Sequence, residues 1–201
     1  MANLITLSRI PLLVVVVFFL YQPSPALRFA AAGLIVMMFF TDMVDGFVAR
    51  RRNESSVLGS VLDIAADRAV ELVLWIVFAS LGRISIAVPL IVVLRDVFVD
   101  ALRSVAPARG LAPFELMESP LGRFLVQSPW LRTPYALAKA AAFCLLAVQF
   151  GLAALDSPAA AGLNIVAQIL TWLAVAFCVL RGLPVLIEGP RALTEGGPEY
   201  N

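Results

Sequence analysis

Two stretches of this chain, one between Arg9 and Arg28 and one between Asp156 and Arg181, carry no charged residue at all. Each has the length of a membrane crossing, since a helix needs roughly 20 residues of apolar character to traverse the hydrocarbon core. Soluble domains are about a quarter charged. Here only 14% of 201 residues are charged, 61% are hydrophobic and the mean hydropathy is +0.94. The chain therefore reads as an all-α protein solvated by lipid. Its first span carries a single basic residue, Arg9, and no persuasive small-residue cleavage site follows, so it is expected to be retained rather than removed as a signal peptide.

The middle of the chain spans only if charged residues join the helices. Uncharged runs between Arg28 and Asp42, Glu71 and Arg83, and Arg83 and Arg95 are too short alone. Helices over about 5–22, 28–51, 57–82 and 84–106 are predicted, with a fifth from about Thr133 to Leu155 and a sixth before Arg181. The polar residues then collect on one side, which holds Asp42, Asp45, Asp63, Asp67, Arg95, Arg103 and Lys139. Only Arg28 and Arg83 mark the other side, so the positive-inside rule makes the crowded side cytoplasmic. The expected architecture is six transmembrane helices with both termini cytoplasmic, a membrane domain over 1–188 and a polar tail over 189–201.

Composition narrows the chemistry. A net charge of +1 gives no basic face for nucleic acid. Cys144 and Cys178 lie in apolar runs and read as packing residues. There is no histidine, which excludes histidine-dependent triads, bases and metal sites. What remains is carboxylates, arginines, the single Lys139, hydroxyls, or a metal held by oxygen.

Ionisable residues within spans are costly and mark function by default. Asp42 and Asp45 are three apart, and Asp63 and Asp67 four apart, so each pair shares a helix face. The short connection Arg51–Ser56 makes the two helices antiparallel neighbours, bringing four carboxylates to one depth. Such a cluster must be protonated in part, paired with Arg50, Arg68 and Arg95, or neutralised by divalent cations. Oxygen-only ligation suits Mg²⁺, Mn²⁺ or Ca²⁺. Gly46, Ala49 and Gly59 beside them leave room for a ligand or for close helix packing.

The stretch Asp42-Met43-Val44-Asp45-Gly46-Phe47-Val48-Ala49-Arg50, followed by Gly59, Asp63 and Asp67, resembles the signature of the CDP-alcohol phosphotransferase family, D-x2-D-G-x2-A-R-x8-G-x3-D-x3-D, at every fixed position. Weaker resemblance points to the branch of bacterial phosphatidylglycerophosphate synthases. It rests on Asn3, Thr6 and Arg9, on Asp45–Arg51, and on Arg95-Asp96 with Arg103. The chain departs from that branch at Asp63-Ile64-Ala65-Ala66-Asp67-Arg68, where the branch has D-P-x-A-D-K. Its G-K-x-K-T segment has only partial counterparts in Gly122-Arg123 and Arg132-Thr133.

The resemblance implies attack by an alcohol on the β-phosphorus of CDP-diacylglycerol with release of CMP. Glycerol 3-phosphate is the expected acceptor; inositol phosphate and phosphatidylglycerol are alternatives. Carried over by position, Asp42, Asp45, Asp63 and Asp67 hold two divalent ions, Mg²⁺ or Mn²⁺, and Asp67 is also the general base. Asp42, Gly46, Ala49, Arg50 and Gly59 form the CDP site, and Arg95, Arg103, Arg132 and Lys139 are candidates for an anionic acceptor. The family also implies a homodimer in the bilayer, with its active site at the cytoplasmic face of an inner membrane. Fourteen arginines to one lysine fit a GC-rich bacterial source. A rival reading of intramembrane carboxylates is a cation or proton transporter; a third is a catalytically dead scaffold.

Overall fold

The computed structural model describes residues 2–52, 57–105, 117 and 119–195. These form seven helices: α1 (Ala2–Tyr21), α2 (Pro25–Arg52), α3 (Val57–Ser80), α4 (Ala87–Val105), α5 (Pro120–Gln127), α6 (Pro129–Ala153) and α7 (Ala159–Glu195). No strand occurs among the described residues. Two helical stretches, Pro120–Ala153 and Ala159–Arg191, are long and apolar enough to cross a membrane, and Ser8–Tyr21 and Pro25–Thr41 are shorter apolar helices.

Local chemistry sets most boundaries. Pro25 opens α2, where a missing N–H costs nothing because the first turn has no partner for it. Gly82 closes α3 with φ +68°, a conformation glycine adopts freely. The Arg83 N–H then bonds the Phe78 carbonyl at 2.8 Å and the Gly82 N–H bonds that of Ala79 at 2.9 Å, which satisfies the last carbonyls of the helix. This stops α3 at Ser80, two residues short of the expected end. Ser119 caps α5, its hydroxyl accepting from the Gly122 N–H at 2.9 Å. The last helix runs on beyond Glu188 to Glu195.

The chain divides into two compact units, Met1–Ile86 with Ala140–Leu170, and Ala87–Lys139 with Thr171–Asn201. In the first, α1 packs against both α2 and α3. Its buried face is Arg9, Leu13, Val16 and Leu20, spaced as one side of a helix. Phe143 of α6 meets Trp75 at 4.2 Å between ring centroids, Phe39 at 6.1 Å and Phe78 at 6.2 Å. Each such pair contributes about 0.5–1.5 kcal/mol beyond area burial. In the second unit Val99, Met117, Val126 and Val185 form a core edged by Leu102 and Leu186.

The outward faces are as apolar as the inward ones. Val14, Phe18, Val36, Phe40, Leu94 and Phe98 are all exposed. A water-soluble chain would carry polar residues there; a hydrocarbon solvent accepts these, as expected of a membrane protein.

Candidate active site

The signature lies on the C-terminal part of α2 and the N-terminal part of α3. Asp42, Asp45, Gly46, Ala49 and Arg50 are on the helical backbone of α2, but their side chains lie outside the described residues. The expected convergence of four carboxylates is therefore described for its α3 half. There Asp63 and Asp67 stand one turn apart, half exposed, with Gly59 a further turn toward the N-terminus.

Arg9 completes this half. It is 3% exposed, delivered by the packing of α1 on α3, and its Nη1 lies 2.5 Å from Asp67 Oδ1 and 3.9 Å from Asp63 Oδ1. Charge-assisted contacts of this length are among the stronger hydrogen bonds. A single guanidinium thus reaches both carboxylates from a helix 58 residues away in sequence. One turn further on, Arg68 Nη1 approaches the buried Glu71 at 3.9 Å.

The donor set bears on a divalent ion. Among the described residues no group of three or more candidate ligands occurs. Asp63 and Asp67 supply oxygen only, are open to solvent, and already converge on one cation, the Arg9 guanidinium. Hard oxygen donors that gather around positive charge fit Mg²⁺ or Mn²⁺ and do not fit zinc.

The candidates for an anionic acceptor all lie in the second unit. Arg95 is buried on α4 and its Nη1 pairs with Asp96 Oδ1 at 2.6 Å. Its stem lies across Gly182 of α7, where any Cβ would collide with Arg95 Nε and come within 2.7 Å of Cγ. Arg132 is exposed near the start of α6, and Lys139 Nζ sits 5.0 Å from the Tyr135 ring centroid. Arg103 is half-buried in the last turn of α4.

One member was missed. Arg181 had served only to mark the end of the last span. It lies 5.7 Å over the same Tyr135 ring, donates from Nη2 to the Val126 carbonyl at 3.3 Å, and feels the charges of both Arg95 and Arg132. Lys139 and Arg181 thus share the Tyr135 ring, and Arg95 and Arg132 add their charge near Arg181. Gly122-Arg123 is otherwise engaged: Gly122 packs against Glu188 and Ser119, and Arg123 Nε donates to the Met117 carbonyl at 2.9 Å.

Comparison with known proteins agrees with the signature. The chain is 34% identical over 105 residues to the CDP-diacylglycerol–glycerol-3-phosphate 3-phosphatidyltransferase of Pseudomonas fluorescens, covering 50% of this chain and 53% of the relative. It is 33% identical over 112 residues to the protein of the same name from Escherichia coli strain K12, covering 50% and 57%. A cardiolipin synthase (CMP-forming) / mitochondrial hydrolase fusion protein of Schizosaccharomyces pombe is 34% identical over 98 residues, 47% of this chain and 16% of that one. The chain spans about half the length of the bacterial relatives it matches. The family model for CDP-alcohol phosphatidyltransferases matches residues 1–180, and the chain belongs to that family.

Proposed function

We propose that this protein transfers the phosphatidyl group of CDP-diacylglycerol to glycerol 3-phosphate and releases CMP. The observation that carries the reading is the complete eight-position signature from Asp42 to Asp67, in a chain similar to bacterial enzymes named for that transfer. An acceptor hydroxyl oxygen attacks the β-phosphorus, the bond from that phosphorus to the CMP oxygen breaks, and the hydroxyl proton passes to Asp67. Asp42, Asp45, Asp63 and Asp67 would hold two divalent ions, which supply charge neutralisation on the pyrophosphate when bound. Gly46, Ala49, Arg50 and Gly59 shape the CDP site, and Arg9 holds the Asp67 carboxylate in position.

Arg95, Arg132, Arg181 and Lys139, with Arg103, take the phosphate of the acceptor. A cluster of guanidiniums that repel one another favours an anion among them, and a fork of N–H donors matches phosphate oxygens. The transfer takes place in a membrane. Residues 1–188 form one six-span domain, followed by the tail 189–201. Both termini and the aspartates face the cytoplasm, and the protein works as a homodimer in the inner membrane.

The test is CMP release by the purified protein in detergent with CDP-diacylglycerol and Mg²⁺ or Mn²⁺. Glycerol 3-phosphate is compared with inositol phosphate, inositol, serine and phosphatidylglycerol. Release with glycerol 3-phosphate alone is the expected result. Release with another acceptor overturns the acceptor assignment and keeps the chemistry, while absence of release with all five removes the proposed activity.

A further inference from the structure

The other end of the first unit holds a second polar site that the signature does not touch. Asp67 and Ser80 are both on α3, and a helix rises about 1.5 Å per residue, so the turn after Ser80 lies roughly 20 Å along the axis from the aspartates. A cavity of about 440 Å³ opens there, lined by Arg83, Ser85, Gln149, Asn164 and Gln168, with Gly82 and Ile84 of the turn. That volume falls within the usual range for small-molecule sites, about 300–1,000 Å³.

Its walls are rich in donors and hold no carboxylate. Gln168 Nε2 is committed to the Arg83 carbonyl at 2.6 Å, which fixes the turn. Gln149 lines the cavity though only 7% exposed, and its Oε1 has no hydrogen-bond partner among the described residues. That oxygen is an acceptor, so what it lacks is an O–H or N–H donor, such as a hydroxyl carried by the ligand, and not a bare phosphate oxygen.

Its one charged lining residue is Arg83, and a second arginine stands beside it. Arg83 lies 4.8 Å and Arg28 3.7 Å from the centroid of one ring, Phe150. Arg28 is tied by Nε to the Gln22 carbonyl at 3.1 Å and by Nη1 to that of Phe150 at 3.4 Å, and Arg83 Nε donates to Leu81 at 3.1 Å. Neither pairs with an acid among the described residues, and they are close enough to repel each other. Two guanidiniums on one ring, beside a donor-lined cavity without a carboxylate, make a site that is short of one anion.

We propose that this cavity binds a phosphate group, from a phospholipid headgroup or a soluble phosphate, at the end of the unit remote from the aspartates. Arg83 grips the phosphate oxygens as a fork, Arg28 adds its charge, the amide N–H groups of Gln149 and Asn164 donate to the remaining oxygens, and Gln149 Oε1 accepts from a hydroxyl of the ligand. The site is separate from the transfer reaction proposed above.

The experiment is native mass spectrometry of the purified protein with phosphatidylglycerol, using diacylglycerol of the same chains as the phosphate-free control. Wild-type protein is expected to retain phosphatidylglycerol at least fivefold over diacylglycerol. Arg83→Gln and Arg28→Gln each reduce retention to the control level. Arg83→Lys, which keeps the charge but not the fork, retains at most half. Lipid held at the aspartate end cancels in these differences. Inorganic phosphate is added in a parallel thermal-shift series. Stabilisation of wild type but not of Arg83→Gln identifies a soluble phosphate as ligand, and lipid retention without that stabilisation identifies the headgroup. Wild-type retention by Arg83→Lys and Arg28→Gln, with no phosphate-dependent shift, overturns the proposal. CMP release by Arg83→Gln is expected within twofold of wild type; a parallel loss of release would mean that the cavity serves catalysis and is not a separate site.

Discussion

The two ends of the Met1–Ile86, Ala140–Leu170 unit solve the same electrostatic problem in opposite ways. At one end Arg9 is buried and reaches both Asp67, at 2.5 Å, and Asp63, at 3.9 Å, so a cation of the chain meets carboxylates that remain in excess. At the other, Arg28 and Arg83 share the Phe150 ring and meet no carboxylate among the described residues. An aromatic face gives a cation part of what water would, about 0.5–2 kcal/mol, but it does not cancel the charge. The first arrangement is what a reaction needs, since carboxylates must be held in place and still reached. The second is what a binding site needs, since its missing charge is brought by the ligand.

The largest effect should come at the aspartate end. Asp67→Asn keeps the shape and removes the base, so CMP release is expected to fall by about 10²–10⁴-fold. Metal-dependent CDP binding should weaken far less than release, as measured by equilibrium dialysis with Mg²⁺. Asp63→Asn should weaken metal and nucleotide binding together. Near-normal release by Asp67→Asn would remove it from the base role, and unchanged metal affinity in Asp63→Asn would remove that ligand. Arg83→Gln should do neither, which keeps the two ends functionally distinct.

Arg9→Gln tests whether a cation supplied by the chain is needed for the first end to work. Groups that orient ligands or catalytic residues typically cost about 10–100-fold in activity when lost, so a fall of about tenfold in the maximal rate is expected. The concentration of Mg²⁺ giving half the maximal rate should fall as well, because a competing cation has left Asp67. Steady-state CMP release over a Mg²⁺ series separates these effects. A higher Mg²⁺ requirement would show that Arg9 aims the carboxylates and does not compete for them.

These contrasts were only partly legible in the sequence. The first four helices were expected at about 5–22, 28–51, 57–82 and 84–106 and begin or end within a few residues of that. Apolar run length and the Gly and Pro of the turns are local signals, and local signals survive folding. The aspartate pair on α3 was legible for the same reason, since a spacing of four on a helix is geometry. Arg9 was not assigned to the site because its contact with Asp67 spans 58 positions and depends on how α1 packs on α3. Arg181 looked like the edge of a span, and only the fold brings it to Tyr135 beside Lys139. The helix Pro120–Gln127 was missed because eight residues are too few to show a period, and its Ser119 cap is held by Glu188, distant in sequence. The shared ring of Arg28 and Arg83 has the same character: the sequence marks both as exceptions to the positive-inside pattern, but Phe150 joins them through tertiary structure.

The smallest effect separates the turn that carries Arg83 from the arginine itself. Gly82 has φ +68°, and a Cβ added there meets nothing within 4 Å. The cost of Gly82→Ala is therefore backbone strain alone, about 1–2 kcal/mol for an L-residue in the left-handed region. For a chain of this size each kcal/mol lowers Tm by about 2–4 °C, so thermal unfolding in detergent should shift down by a few degrees. Gly82→Asn should shift less, because asparagine tolerates that region better than alanine. If the turn holds against the strain, Arg83 keeps its bond to Phe78 and its place over Phe150, and phosphatidylglycerol retention stays near wild type. Loss of retention as complete as in Arg83→Gln, with Tm down by only those few degrees, would mean that the cavity depends on this one backbone conformation as much as on the guanidinium it presents.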